Sequence, residues 1–133
     1  MDREILFRGK RIDNGEWMEG YVSKYFDGFK TATCIAWPTR ETITGSLCYD
    51  VDPATVGQYT GLTDKNGKKI FEWDVMEFDA YGLHYKGVVS FVDGNFCVMC
   101  NRLTASSFLD SAIKQHDAIC VGNIYDNPEL LWN

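Results

Sequence analysis

Four Asx-Gly dipeptides, Asn14-Gly15, Asp27-Gly28, Asn66-Gly67 and Asp93-Gly94, constrain the fold of this chain more than any other feature. Asn, Asp and Gly tolerate the positive φ that tight hairpin turns demand. Between these dipeptides lie short runs of β-branched and aromatic residues, which suit a pleated, half-buried surface. Seven Tyr, eight Phe and four Trp in 133 residues strengthen that reading. The expectation is a mostly β protein, a β-rich α+β fold built from hairpins.

In chain order, residues from Glu4 form a strand that turns at Asn14-Gly15, and Trp17 to Val22 returns as its partner. Phe29 to Trp37 is the next strand, stopped by Pro38 because proline cannot donate to a ladder. Thr42 to Tyr49 is a weaker strand, and Ala54 to Thr60 a short extended piece. Asp74 to Asp79 alternates polar and apolar residues with period 2. Tyr85 to Val92 and Asn95 to Cys100, joined by Asp93-Gly94, carry the strongest hairpin signal.

One helix is expected, over about 105–116. Phe108, Leu109, Ala112 and Ile113 fall on one stripe, Thr104 or Ser106 offers a cap, and Lys114 and His116 suit the last turn. Ala118 to Tyr125 closes as a strand, and Glu129 to Trp132 forms a final helical turn or a docked tail. The chain therefore divides into an N-terminal β meander over 1–60 and a small SH3-like barrel unit with its helix over 61–133, within one compact unit.

Composition bounds the function. The net charge of -6 disfavours nucleic acid as a partner, because binding a polyanion needs clustered Lys and Arg. The basic residues are dispersed, and Arg8, Lys10, Arg11 and Lys65, Lys68, Lys69 read as solvated strand ends and turns. The start, Met1-Asp2-Arg3-Glu4, is charged and no long apolar run follows, so neither a secretory signal nor a membrane partner is expected. Five cysteines without a framework point to reduced thiols in a cytoplasmic compartment.

No residue set reads as catalytic, cofactor-binding or metal-ligating, so no enzyme and no cofactor are expected. The run Asp64-Lys65-Asn66-Gly67-Lys68 lacks the further acids of a calcium loop and carries two lysines beside any cation, so it reads as a turn. Cys97 and Cys100 have zinc spacing without a second pair, and in a strand their sulfurs diverge. His84 and His116, with Asp79 or Asp117 as orienting acids, are the candidate general bases; they read better as surface residues of a loop and a helix end.

The densest polar and Gly-rich stretch is Gly57-Gln58-Tyr59-Thr60-Gly61-Leu62-Thr63-Asp64-Lys65-Asn66-Gly67-Lys68-Lys69-Ile70-Phe71-Glu72-Trp73-Asp74. With Arg3-Glu4-Ile5-Leu6-Phe7-Arg8 before it and Val121-Gly122-Asn123-Ile124-Tyr125-Asp126-Asn127-Pro128 after it, it closely resembles the YopX family of phage and prophage proteins. The three motifs occur in the family's order and span the chain. The resemblance implies a phage- or prophage-encoded protein of bacterial cytoplasm, β-rich, self-associating as a homo-oligomer, and without an established enzymatic activity.

One position departs from the family, which commonly has Gly where this chain has Trp73. A Trp disfavours a positive-φ backbone and suggests an aromatic contact at that junction instead. Gln58, Tyr59, Trp73, Asn123 and Tyr125 are thus the candidates for an interaction surface or a joint between the halves. For Asn123, with Asn127, the competing role is hydrogen bonding to turn backbone. The functional expectation is a self-associating structural or protein-interaction module with an unknown phage or host protein as partner; the alternative is a nucleic-acid-binding small barrel whose aromatics stack bases.

Overall fold

The computed structural model describes residues 4–36, 48–100 and 106–131. The expected strand over 42–47, the stop at Pro38 and the cap at Thr104 lie outside them. Two compact units form, Met1–Tyr59 and Thr60–Asn133.

The first unit is an antiparallel sheet with the strand order β4-β3-β2-β1-β5. Its strands are β1 (Phe7–Lys10), β2 (Trp17–Phe26), β3 (Thr31–Ala36), β4 (Cys48–Asp50) and β5 (Gly57–Thr63). β5 crosses the division between the units. β1 pairs with β2 from Phe7 opposite Gly20 to Lys10 opposite Trp17, and β2 then continues against β3 as far as Phe26 opposite Thr31. Ile35 and Val51 are fully buried, and Gly9 lies close beneath them: a Cβ there would sit 3.1 Å from the Ile35 Cδ1. The expected extended piece after Asp52 is first a 3₁₀ turn, Pro53–Thr55, because the Asp52 carboxylate caps it by accepting from the Ala54 N–H.

The Asx-Gly turns are of two kinds. At Asn14-Gly15 and Asp27-Gly28 only the Gly has positive φ. There the Asn14 and Asp27 side chains accept backbone N–H groups two residues on, from Glu16 and Phe29. At Asp93-Gly94 both residues have positive φ, 50° and 84°, which matches the mirror-image turn whose twist fits a two-residue hairpin.

Two of the five cysteines correct the reduced-thiol reading. Cys34 and Cys48 form a disulfide with Cα atoms 5.9 Å apart. The β3–β4 register puts Cys34 opposite Asp50 and Ala36 opposite Cys48, so the two cysteines are diagonal neighbours. Cys97, Cys100 and Cys120 are free.

The second unit holds β6 (Lys69–Phe71), β7 (Asp74–Ala80), β8 (Leu83–Val92), β9 (Asn95–Cys100), β10 (Ser106–Phe108), α1 (Leu109–His116) and β11 (Ile119–Asn123). Its five-stranded antiparallel sheet runs β10-β9-β8-β7-β11. The helix starts later than expected. Ser106, Ser107 and Phe108 pair with Met99, Val98 and Cys97, and the helix N-cap is Phe108, which has no side-chain cap bond. Ladder hydrogen bonds across to β9 thus take the place of a serine cap. The helix ends on Asp117 at φ 52°, and Leu109 and Ala112 bury its inner face against Met76, Val89 and Val98.

β11 carries a register shift between Cys120 and Gly122. A side chain at Gly122 would collide with the Asn127 amide, which docks there and accepts from the Asn123 N–H. A 3₁₀ turn over Pro128–Leu131 follows, the helical turn of the two alternatives set out for this segment. Among the described residues the chain is mostly β with one α-helix, and no helix there is long and apolar enough to cross a membrane.

Candidate binding site

The joint at Asp64 shows how local chemistry sets up the second unit. The Asp64 carboxylate accepts from the N–H groups of Asn66 and Lys68, which closes its own turn, and from the Cys120 N–H on β11, 56 residues away. Burial alone would raise the pKa of Asp64, but the N–H donors of Cys120, Lys68 and Asn66 outweigh it and hold the carboxyl below its ordinary value. Gly67 takes positive φ there while Asn66 does not. The stretch is a turn with its oxygen atoms already committed to backbone.

Trp73 overturns its expectation. It adopts φ 76°, the conformation expected of the family's Gly, and sits between two strands: its N–H donates to the Val89 carbonyl and its carbonyl accepts from the Ile124 N–H. Trp73, Asn123 and Tyr125 are therefore brought together. Asn123 is buried and its side-chain oxygen accepts from the N–H groups of Tyr125 and Asp126, the structural role set against binding. Gln58 and Tyr59 lie on β5, Gln58 opposite Phe7 and Tyr59 buried with its N–H on the Leu6 carbonyl.

His84 is not in a loop. It is the second residue of β8, directly opposite Asp79, with Nδ1 2.6 Å from Asp79 and Nε2 2.5 Å from Glu77. The hydrogen bond to Asp79, and then that to Glu77, raises its pKa against the opposing effect of desolvation. An imidazole with both nitrogens held by carboxylates has no free lone pair with which to accept a substrate proton.

A concave feature of this unit lies elsewhere. A cavity of about 380 Å³ opens between α1, β10 and the β7–β8 hairpin, within the size range of small-molecule sites. Phe78 and Tyr85 are cross-strand partners whose rings stack at 5.4 Å and 18°. His116, from the end of α1, stacks on Phe78 at 5.8 Å and 16°. Tyr85 and His116 thus each lie nearly parallel to the Phe78 ring, and Tyr81 meets His116 edge-on at 5.6 Å and 65°. Tyr81 is 87% exposed because it occupies the positive-φ Tyr81-Gly82 turn between β7 and β8.

Phe108, Ser107, Ser111 and Gln115 complete the wall, with Cys97 and Cys100. Burial raises the pKa of both thiols, so they serve as neutral, polarisable lining. Sequence reading missed this site. Its rings come from two strands, a turn and a helix end, and the one available signal was the aromatic cluster Phe78, Tyr81 and Tyr85 around a Gly.

In the first unit the β2–β3 hairpin exposes Tyr21, Tyr25, Phe26 and, at 96%, Phe29. Tyr25 is anchored by its hydroxyl, which donates to Asp50 at 2.7 Å. Phe26 and Phe29 flank the Asp27-Gly28 turn at the hairpin's tip.

The family model described as YopX protein matches residues 6–132. The crystal structure of protein EF1440 from Enterococcus faecalis is similar with a TM-score of 0.58 and 26% identity, covering 98% of this chain and 99% of that one. No curated protein matches the chain.

Proposed function

Because the chain belongs to the YopX family, we propose that it is a phage- or prophage-encoded protein that acts in the bacterial cytoplasm by self-association and protein binding rather than by catalysis. The observation that carries this reading is the β2–β3 hairpin. It presents Tyr21, Tyr25, Phe26 and Phe29 to solvent in one hairpin, and clustered exposed apolar side chains mark association surfaces. The occupant is a second copy of this chain. Residues 21–33 hold Lys24 and Lys30 against Asp27, a local charge of 2 − 1 = +1, in a chain whose net charge is -6. The hairpin is thus the part of one copy that an acidic surface of another attracts. The saturated hydrogen bonding of His84 supports a non-catalytic role.

Size-exclusion chromatography with light scattering over a range of concentrations tests the reading. We expect an oligomer that shifts to monomer in the double variant Phe26→Ser, Phe29→Ser. A wild-type protein that stays monomeric throughout rejects it.

A second reading takes the five-stranded sheet, in the order β11-β7-β8-β9-β10, as a small SH3-like barrel, and is supported by the aromatic rings stacked on Phe78. Small barrels with exposed rings can stack nucleic-acid bases. Retention of single-stranded DNA or RNA at low salt is its test, and no retention there removes it.

A further inference from the structure

We propose that the cavity between α1 and the β7–β8 hairpin binds a neutral planar heteroaromatic ring of the nucleobase class, presented as a free nucleoside. Flat aromatic walls set the shape of the site. Tyr85 and His116 each lie nearly parallel to Phe78, and Tyr81 and Phe108 supply further aromatic wall, so the site favours a flat π surface over a branched aliphatic one.

No described Lys, Arg, Asp or Glu lines the cavity, so no described side chain there balances a phosphate or an organic cation. Lys114 and Asp110, the charged residues of α1, are paired with each other at 3.0 Å.

Polar side chains narrow the ligand class. Gln115, Ser111 and Tyr85 line the cavity, and their side chains make no hydrogen bond to another described residue. A Gln amide offers one acceptor and two donors side by side. That pattern pairs bidentately with a base edge carrying an adjacent acceptor and amino group. A purely hydrocarbon occupant that displaced water from these groups would offer them no partner, at a cost in affinity. This inference is independent of self-association, and a monomer that binds nucleosides would leave it intact.

The test uses the full chain and ligand-detected NMR titrations. The probes are adenosine, guanosine, cytidine and uridine, their 5′-monophosphates, a short single-stranded oligonucleotide, and free indole. We expect at least one nucleoside to bind, its monophosphate to bind more weakly, and Gln115→Leu to weaken the nucleoside roughly tenfold or more. Gln115 is exposed on the last turn of α1, so this variant keeps the fold, which thermal unfolding confirms. Phe108→Ser, at an exposed wall position, should weaken binding as well. Four results overturn the proposal: no nucleoside bound, indole bound as tightly as any nucleoside, the oligonucleotide or monophosphate preferred, or affinity unchanged in Gln115→Leu.

Discussion

Trp73 holds φ at 76°, a region that costs an L-residue about 1–2 kcal/mol where glycine is at ease. Its N–H and carbonyl are both engaged, with Val89 on β8 and Ile124 just past β11. Two strand contacts fixed from either side over-determine the backbone, and the side chain accepts the strain. Replacing the Trp removes indole contacts as well as strain, so the informative comparison is between two truncations. Trp73→Gly and Trp73→Ala lose the same ring, but only Ala retains a Cβ at positive φ. We expect the Gly variant to be more stable than the Ala variant by about 1 kcal/mol in urea denaturation. Equal midpoints with equal slopes would mean that the backbone at 73 relaxes once the ring is gone.

At the scale of elements, the Asp64 turn fastens the chain ahead of β6 to β11 through one carboxylate. Asp64→Ala leaves the N–H groups of Asn66, Lys68 and Cys120 without their acceptor and should cost about 1–3 kcal/mol. Lys65→Ala, at an exposed position in the same turn, should stay within about 0.5 kcal/mol. Chemical denaturation of both variants checks the contrast, and equal losses would show that the turn tolerates any change. The same segment shows what a sequence reveals. Turns that depend on Asp, Asn and Gly chemistry are local, so the four hairpin reversals were legible. Phe78 and Tyr85 were visible as strand residues, but their pairing depends on a turn at Tyr81-Gly82 that lacks the usual Asn or Asp. Ser106–Phe108 resembles a helix start in isolation, and only the presence of β9 makes it a strand. The cavity needs His116 against Phe78, a contact 38 residues apart that no local pattern encodes.

At the scale of the whole molecule, the Cys34–Cys48 bridge and the proposed cytoplasmic setting oppose each other, since reducing compartments keep thiols apart. The bridge was illegible because two cysteines 14 residues apart signal nothing until the β3–β4 register makes them neighbours. Closing a loop of that length stabilises a fold by about 3 kcal/mol through the entropy of the unfolded chain. Cys97, Cys100 and Cys120 are free, so a thiol count separates the two states. Alkylation in denaturant without reductant, followed by mass spectrometry, should label three cysteines in air-oxidised purified protein and all five in protein quenched directly from bacterial cells. Three labels in the quenched sample would remove the cytoplasmic setting and leave the rest of the proposed function standing. Five labels in the purified sample would mean that the bridge does not form even in air. Adding reductant to the oxidised protein should then lower its unfolding free energy by about 2–3 kcal/mol. Cys48→Ser should begin at the reduced value and not respond to reductant, which assigns the change to this bridge and not to the buried thiols of the second unit.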